Sequence, residues 1–237
     1  MTSLAVMAFA VTVAGLIQGA IGVGFALIVA PVAAVVRPGM IPGAILILML
    51  PLNAFVAWRE RYHFDLRSAS WLTLGRFAGT FIGLRVLLIV STPLLDGVVG
   101  ATTIIAAVAT KLAPRFAPNR TAYIGAGLIT GVTETATGIG GPPLALVYQH
   151  HPAPTLRATI ALCFLIGELF SLVFLVIEGR LDLAQSRDAL LLVPPLALGL
   201  FASNRVQQKL NVTRLRDALL IFAVISGVLL IFQSMTA

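Results

Sequence analysis

Two glycine-rich stretches decide the fold of this chain. Residues 15–31 read GLIQGAIGVGFALIVAP, and residues 127–143 read GLITGVTETATGIGGPP. They lie in apolar segments, 1–36 and 121–150, that are longer than the roughly 20 residues needed for one membrane crossing. Each segment is therefore expected to form a helical hairpin, about 3–36 and about 121–150, with irregular backbone at the glycines.

The composition of the whole chain excludes most soluble classes. Of its 237 residues, 59% are hydrophobic and 11% charged, and the mean hydropathy is +1.01. A soluble domain has about 25% charged residues. The net charge of +7 then fits Lys and Arg at the ends of membrane spans, and no nucleic-acid partner is expected. The sequence predicts an all-α, multi-pass protein of the lipid bilayer, placed in the cell (inner) membrane, without a cofactor.

The two stretches resemble each other, which predicts an internal duplication. Residues 14–19 and 126–131 are identical at five of six positions, and a Gly-x-Gly follows each. Three further matches recur in the same order: Phe64-Asp65-Leu66 with Leu181-Asp182-Leu183, Arg85 with Arg205, and Asp96 with Asp217. The expected halves are 1–115 and 116–237, each a hairpin plus three spans. The spans are expected at about 41–57, 68–86 and 94–111, and at about 155–177, 187–205 and 214–235.

The distribution of Lys and Arg predicts the orientation. Ten of the sixteen basic residues lie in the connections 59–67, 111–120 and 205–216, which the positive-inside rule places in the cytoplasm. The connection 178–187, the counterpart of 59–67, then lies on the other side. The halves are thus expected to be inverted repeats, as in secondary transporters, with both termini non-cytoplasmic. The residues assigned to the non-cytoplasmic side are Arg37, Arg85, Arg157, Arg180 and Arg187.

The two breaks are expected to line a substrate path. Irregular backbone at membrane depth is tolerated only where it is buried in protein or lines a cavity. A helix that restarts after a break points N–H groups and a positive dipole end toward an anion. Tight helix packing through small residues is the alternative explanation of the same glycines. The candidate substrate-binding residues are Gln18, Gly22, Gly24, Arg76, Thr137, Gly138, Gly140 and Gly141.

Ionisable residues inside spans are costly and are therefore functional candidates. Arg76 could neutralise an anion or form a salt bridge with Glu134 or Glu168. Those two glutamates are candidate proton carriers. Gln18 and Asn53 are either interhelical hydrogen-bonding groups or ligand contacts. No metal site is expected.

The pattern as a whole resembles the TauE/SafE family of sulfite-exporter-like membrane permeases. Two halves each begin with AGLIxG and a glycine-rich break, and three spans with a short Asp-Leu connection follow. The first break has Gly-Val-Gly-Phe where family members often have several consecutive glycines. The resemblance implies a secondary transporter that exports a small oxyanion, sulfite or an organosulfonate such as sulfoacetate. Nothing in the composition or spacing indicates the sulfur preference, which comes from the resemblance.

Alternating access with a proton as candidate coupling ion is the expected mechanism, and an anion channel would share the architecture. An intramembrane enzyme using Glu134 with His150 or His151 is the third hypothesis. The sequence contains neither Gly-x-Ser-x-Gly nor His-Glu-x-x-His, so a non-enzyme is expected. The expected partners are a small anionic substrate, the lipid bilayer and a second copy of the chain in a homodimer.

Overall fold

The all-α prediction is confirmed. The computed structural model describes residues 2–89, 92–112, 118–207 and 212–236, and these contain helices and turns but no strand. Ten α-helices lie within the described residues. In chain order they are α1 (Thr2–Ile21), α2 (Phe25–Val36), α3 (Gly43–Arg59), α4 (Leu66–Ile89), α5 (Thr92–Leu112), α6 (Arg120–Thr137), α7 (Gly141–Tyr148), α8 (Ala153–Ile177), α9 (Leu183–Val206) and α10 (Val212–Thr236).

Several helices match the thickness of a bilayer. Within the described residues, four helices are long and apolar enough to cross a membrane, namely α1, α4, α8 and α9. The helices α2 and α7 have 12 and 8 residues, and at 1.5 Å per residue they extend only about 18 and 12 Å. The hydrocarbon core is about 30 Å thick. These two helices are therefore short return arms of the hairpins α1–α2 and α6–α7.

Both hairpins break in the same way, at glycines with left-handed backbone. Gly22 has a φ of 99°, and Gly138 has a φ of 79°, values that residues with a side chain adopt only with strain. The Gly22 N–H donates to the Gln18 carbonyl, and the Gly138 N–H donates to the Glu134 carbonyl, both at 2.7 Å. These bonds close the last turns of α1 and α6. Gln18 and Glu134 therefore occupy equivalent positions, four residues before each break.

Polar side chains cap the starts of three helices and so satisfy N–H groups that have no intrahelical partner. Asn119 accepts from the Ala122 N–H at 2.9 Å at the start of α6. Asp65 accepts from the Ser68 N–H at 3.2 Å at the start of α4. Asp182 forms a capping box at the start of α9. The two Asp-Leu matches of the sequence thus both begin long helices.

Two closely packed helix pairs combine the predicted halves. Helix α6 packs on α4, and α1 packs on α9. A Cβ added to Gly127 or Gly131 of α6 would collide with the α4 backbone, and one added to Gly199 of α9 would collide with the Thr12 carbonyl of α1. Glycines thus bring these backbones into contact, as small residues do in membrane bundles. We call α4–α6 and α1–α9 the glycine-packed pairs.

The remaining contacts follow a matched pattern. Helix α3 packs on α8, and α5 packs on α10. The contact between α3 and α9 is matched by a contact between α4 and α8. The contact between α2 and α10 is likewise matched by a contact between α5 and α7. Exchanging each helix for its predicted counterpart, α1 for α6 through α5 for α10, therefore maps these pairs onto one another.

The side assigned to Arg157 from the sequence is wrong. Its Nε lies 2.9 Å from Glu60 Oε1, so Arg157 lies at the end of the bundle that contains the connection 59–67. The physical reason is the second hairpin. Because α7 returns toward the end at which α6 begins, with Tyr148 beside Ser68 at the start of α4, α8 also begins there.

Candidate functional site

Five polar side chains from five helices meet inside the bundle. They are Gln18 of α1, Asn53 of α3, Arg76 of α4, Glu134 of α6 and Glu168 of α8, and each is at most 2% exposed. We call this group the central polar cluster. The sequence suggested each of these residues separately as a binding, proton-carrying or hydrogen-bonding residue, and the fold brings them together.

A chain of hydrogen bonds crosses one half of the central polar cluster. The Phe25 N–H, first in α2, donates to Gln18 Oε1 at 2.8 Å. Gln18 Nε2 donates to Asn53 Oδ1 at 3.0 Å, and Asn53 Nδ2 donates to Glu168 Oε1 at 2.7 Å. Every donor in this chain points toward the Glu168 carboxyl group. The start of α2 is therefore capped by the protein itself, and the first break offers an anion fewer free N–H groups than the sequence suggested.

Arg76 occupies the other half of the cluster. Its Nη2 donates to Glu134 Oε2, and its Nη1 donates to the Cys163 carbonyl at 3.1 Å. The guanidinium carbon lies 5.0 Å from the centre of the Phe164 ring, close enough for a cation–π interaction. Gly167 makes room for the group, since a Cβ there would overlap Arg76 Nε. Of the two salt-bridge partners considered for Arg76, the structure shows Glu134.

Three buried polar atoms of the cluster have no hydrogen-bond partner among the described residues. They are Arg76 Nε, Glu134 Oε1 and Glu168 Oε2. Buried polar groups without partners cost free energy. The cluster also has two carboxyl groups but one guanidinium, so it is negative unless a proton is bound. Unused hydrogen-bonding capacity and unbalanced charge are features of a site that binds a ligand or a proton.

The second break lies directly against Glu134. A Cβ on Gly140 would lie 2.9 Å from Glu134 Cβ and 3.1 Å from its Cδ, whereas one on Gly141 would meet only Val23 of the first break, at 3.7 Å. The two breaks therefore face each other. Thr130 Oγ1 donates to the Gly140 carbonyl at 3.1 Å and holds the break in place.

Other predicted site residues lie away from the central polar cluster or are used locally. A Cβ on Gly22 would meet Arg157 Cγ at 2.8 Å, and one on Gly138 would meet Ile45. Thr137 donates to the Thr133 carbonyl at 2.7 Å and accepts from the Ile139 N–H. Gly24 is the N-cap of α2. The roles of Gly167 and Thr130 were not predicted from the sequence, although a glycine directly before an intramembrane glutamate was a usable signal.

A second group of charges holds the tip of the first hairpin. Arg59 at the end of α3 donates to the Gly19 carbonyl at 2.6 Å and to Asn204 at 2.7 Å. Its Nε lies 3.3 Å from Glu60, which also pairs with Arg157. At the opposite end of the bundle, Arg37 after α2 pairs with Asp188 of α9 at 2.8 Å. A hydrogen bond from Arg59 therefore holds the first hairpin at its tip, and an ion pair holds it at its base.

A cavity of about 290 Å³ lies on the other side of the second break, between α5, α6 and α7. Its lining is apolar except for Thr133, so it suits hydrocarbon better than an anion. The lining residues are Ile105, Ala109, Ile129, Thr133, Ile139, Pro142, Pro143 and Leu146.

The described contacts give no support to the enzyme hypothesis. His151 follows α7, where its ring lies 5.0 Å from that of Tyr148. Glu134 is paired with Arg76 in the interior. No described hydrogen bond or ion pair joins Glu134 to His150 or His151.

Comparison with known proteins confirms the family resemblance. A family model described as sulfite exporter TauE/SafE matches residues 7–230, nearly the whole chain. No curated protein and no solved structure matches the chain. The match and the apolar helices identify a multi-pass membrane transporter of the anion-exporter type. The chain belongs to the sulfite exporter TauE/SafE family, whose members are transporters.

Proposed function

We propose that this protein is a secondary transporter that exports a small oxyanion, sulfite or an organosulfonate such as sulfoacetate, across the cell (inner) membrane. Alternating access is the proposed mechanism, with a proton as coupling ion and both termini on the non-cytoplasmic side. The sulfur preference rests on the family. The residues that would perform the transport are in the central polar cluster.

The observation that supports this proposal most directly is the position of Arg76. Its guanidinium is 1% exposed and lies beside the carboxyl group of Glu134 and the second break. A buried arginine binds oxyanions well because its planar donors match the acceptor geometry. The prolines at 142 and 143 lack N–H groups, so Arg76 supplies more of the anion's hydrogen bonds than the α7 backbone does.

The packing pattern supports inverted repeats. The end of α3 meets the start of α8 through Glu60 and Arg157. Gly97 near the start of α5 meets Ser234 near the end of α10. Predicted counterparts therefore run antiparallel, as an axis in the membrane plane requires.

Alternating access then needs units that move relative to one another. The glycine-packed pairs have backbone contacts along their length, which favour movement of each pair as a rigid body. Each pair contains one helix from each half. We therefore propose that α1–α9 and α4–α6 move against each other around the central polar cluster, with the two breaks between them.

Sulfite and sulfoacetate flux into proteoliposomes tests the function and its site. The wild type should give saturable flux, which separates a carrier from a channel. Arg76→Ala should lower the flux at subsaturating anion by about 10- to 100-fold, since a charge-assisted hydrogen bond contributes about 1.5–3 kcal/mol. Gly140→Ala should also lower it because the new Cβ displaces Glu134.

Gly141→Ala is the matched control for Gly140, because the new Cβ would have only ordinary contacts with Val23. Its flux should stay close to that of the wild type. If Arg76→Ala and bulky substitutions at Gly140 both leave the flux unchanged, the proposed site is wrong.

A further inference from the structure

We infer that Glu134 is the proton carrier and that the transported anion takes its place at Arg76. One proton binds Glu134 for each anion that displaces it, so proton and anion cross the membrane together in the same direction. The inference rests on the proposed function and specifies the residue, direction and stoichiometry of coupling.

The contacts of Arg76 indicate that a substrate can reach its guanidinium from one side, that of Nη2. Nη1 is bonded to the Cys163 carbonyl, the guanidinium is covered by Phe164, and Nε lies against Gly167. Nη2, by contrast, donates to Glu134. An anion that binds the guanidinium with more than one hydrogen bond must therefore displace the Glu134 carboxylate.

Glu134 is suited to leave, and Glu168 is not. Arg76 is the partner of Glu134 Oε2, and Glu134 Oε1 has no partner among the described residues. Glu168 is held by Asn53, which is bonded in turn to Gln18. Release of Glu168 would therefore disturb the cap of α2, whereas release of Glu134 breaks its bond to Arg76.

Charge and geometry together set the stoichiometry. With both glutamates ionised, the central polar cluster has one net negative charge. An anion added without a proton would at least double that charge in the membrane interior, which is costly. Because each anion displaces one carboxylate from Arg76, one proton on Glu134 neutralises the displaced group, whether the anion is singly charged or, like sulfoacetate, doubly charged.

The charged and titratable groups around Glu134 lie on the helices packed near it. Within the described side chains, α4 contributes Arg76, and α8 contributes Glu168 and Cys163 through their interaction with Arg76. Tyr148 is the last residue of α7, and Lys111 lies one residue before the end of α5. Arg76 is the charged group that Glu134 contacts directly, so we expect the ionisation of Glu134 to depend chiefly on whether Arg76 is its partner or the partner of the anion.

The wild type alone can test the stoichiometry. Sulfoacetate binding to the detergent-solubilised protein is measured by calorimetry in buffers of different ionisation enthalpy. One proton should be taken up per anion. The affinity should then fall about tenfold per pH unit wherever Glu134 is ionised in the free protein, as linkage requires for one proton. Binding without proton uptake overturns the inference.

Two isosteric variants identify the residue. Glu134→Gln removes the titrating group, so the protons moved per anion in proteoliposomes should fall by one, and the affinity should lose its pH dependence. Glu168→Gln should still move one proton per anion, whatever its rate. The same measurement is repeated with sulfite as the second probe. The readout is the difference between variant and wild type in protons moved per anion, so protons bound or released by the anion itself cancel.

Different results would overturn the proton-coupling inference and the proposed transport function. Coupling that persists in Glu134→Gln, or is lost in Glu168→Gln alone, overturns the inference and leaves the transport function standing. Absence of sulfite and sulfoacetate flux in the wild type overturns the proposed function. A Glu134→Gln protein that does not fold leaves the calorimetric test of the wild type decisive.

Discussion

Asn53 is the residue through which the first hairpin reaches the charged part of the central polar cluster. Its amide accepts from Gln18 and donates to Glu168, and the side chain is 1% exposed. A side-chain amide has a separate acceptor oxygen and donor nitrogen, so it can do both at one position. Asn53 therefore acts as a positioning residue for Glu168.

Asn53→Leu should destabilise the protein by about 2 kcal/mol, because it removes two interhelical hydrogen bonds and leaves buried polar atoms of Gln18 and Glu168 without partners. The thermal unfolding temperature in detergent measures this loss. Ala54→Leu is the control, since Ala54 is exposed on the same helix and should leave the temperature unchanged. Equal temperatures for the two variants would contradict the role of Asn53.

The sequence identified the residues of the cluster better than their connections. Arg76, Glu134 and Glu168 stood out because charges are rare in apolar spans. That Arg76 pairs with Glu134 and not directly with Glu168 depends on α4 packing against α6, which no local pattern of residues encodes. Gln18 was predicted to be either a ligand contact or an interhelical hydrogen-bonding group, and its side chain accepts from the Phe25 N–H and donates to Asn53.

At the scale of elements, the glycines of α4 and α6 allow two backbones to touch. Gly75, Gly79 and Gly83 recur every four residues on α4, and added Cβ atoms there would meet carbonyl groups of α6. For the glycines of the breaks, the sequence left substrate binding and tight packing as alternatives. In the helices before the breaks, close packing is what the structure shows.

Gly127→Ala should destabilise the α4–α6 pair because its Cβ would collide with the Leu72 carbonyl, and we expect a loss of at least about 1–3 kcal/mol, as for overpacking. Gly125→Ala is the matched control, two residues away on α6, where a Cβ meets nothing within 4 Å. That variant should be neutral or stabilised by up to about 1 kcal/mol through helix propensity. Thermal unfolding of both variants measures the difference, and a Gly127→Ala protein as stable as Gly125→Ala would contradict close packing.

The glycines indicated where the backbone breaks but not how the hairpins sit in the membrane. Two full crossings and a short return were equally compatible with the apolar segments. The lengths of α2 and α7 indicate that each is a short return helix. Composition alone could not distinguish the two arrangements, because the connection that follows α2 is also largely apolar.

At the scale of the whole molecule, the two ends of the bundle differ in charge. Arg59, Arg61 and Arg157 lie at the end with the connection 59–67. The second hairpin returns the chain to the side at which it starts, so Arg157 lies with these residues and not on the non-cytoplasmic side. With Arg157 counted at that end, its number of basic residues rises, which strengthens the assignment of that end to the cytoplasm by the positive-inside rule.

Cysteine labelling tests the inverted topology. Tyr62→Cys is on an exposed position of the connection 59–67, and Glu178→Cys is on an exposed position after α8. A membrane-impermeant thiol reagent should label them from opposite sides of oriented vesicles. The native Cys163 is buried and provides the unlabelled control. Labelling of both positions from the same side would contradict the inverted arrangement.

The glycine-packed pairs also have a consequence for biosynthesis. Helix α1 leaves the ribosome well before α9, which covers its glycines and lies about 180 residues later in the chain. Until α9 is synthesised, the glycine-containing face of α1 has no helix packed against it. The same holds for α4 over the shorter interval before α6 is synthesised. Neither half can complete its packing alone, so two separately expressed halves should be stable only when they meet in the same membrane.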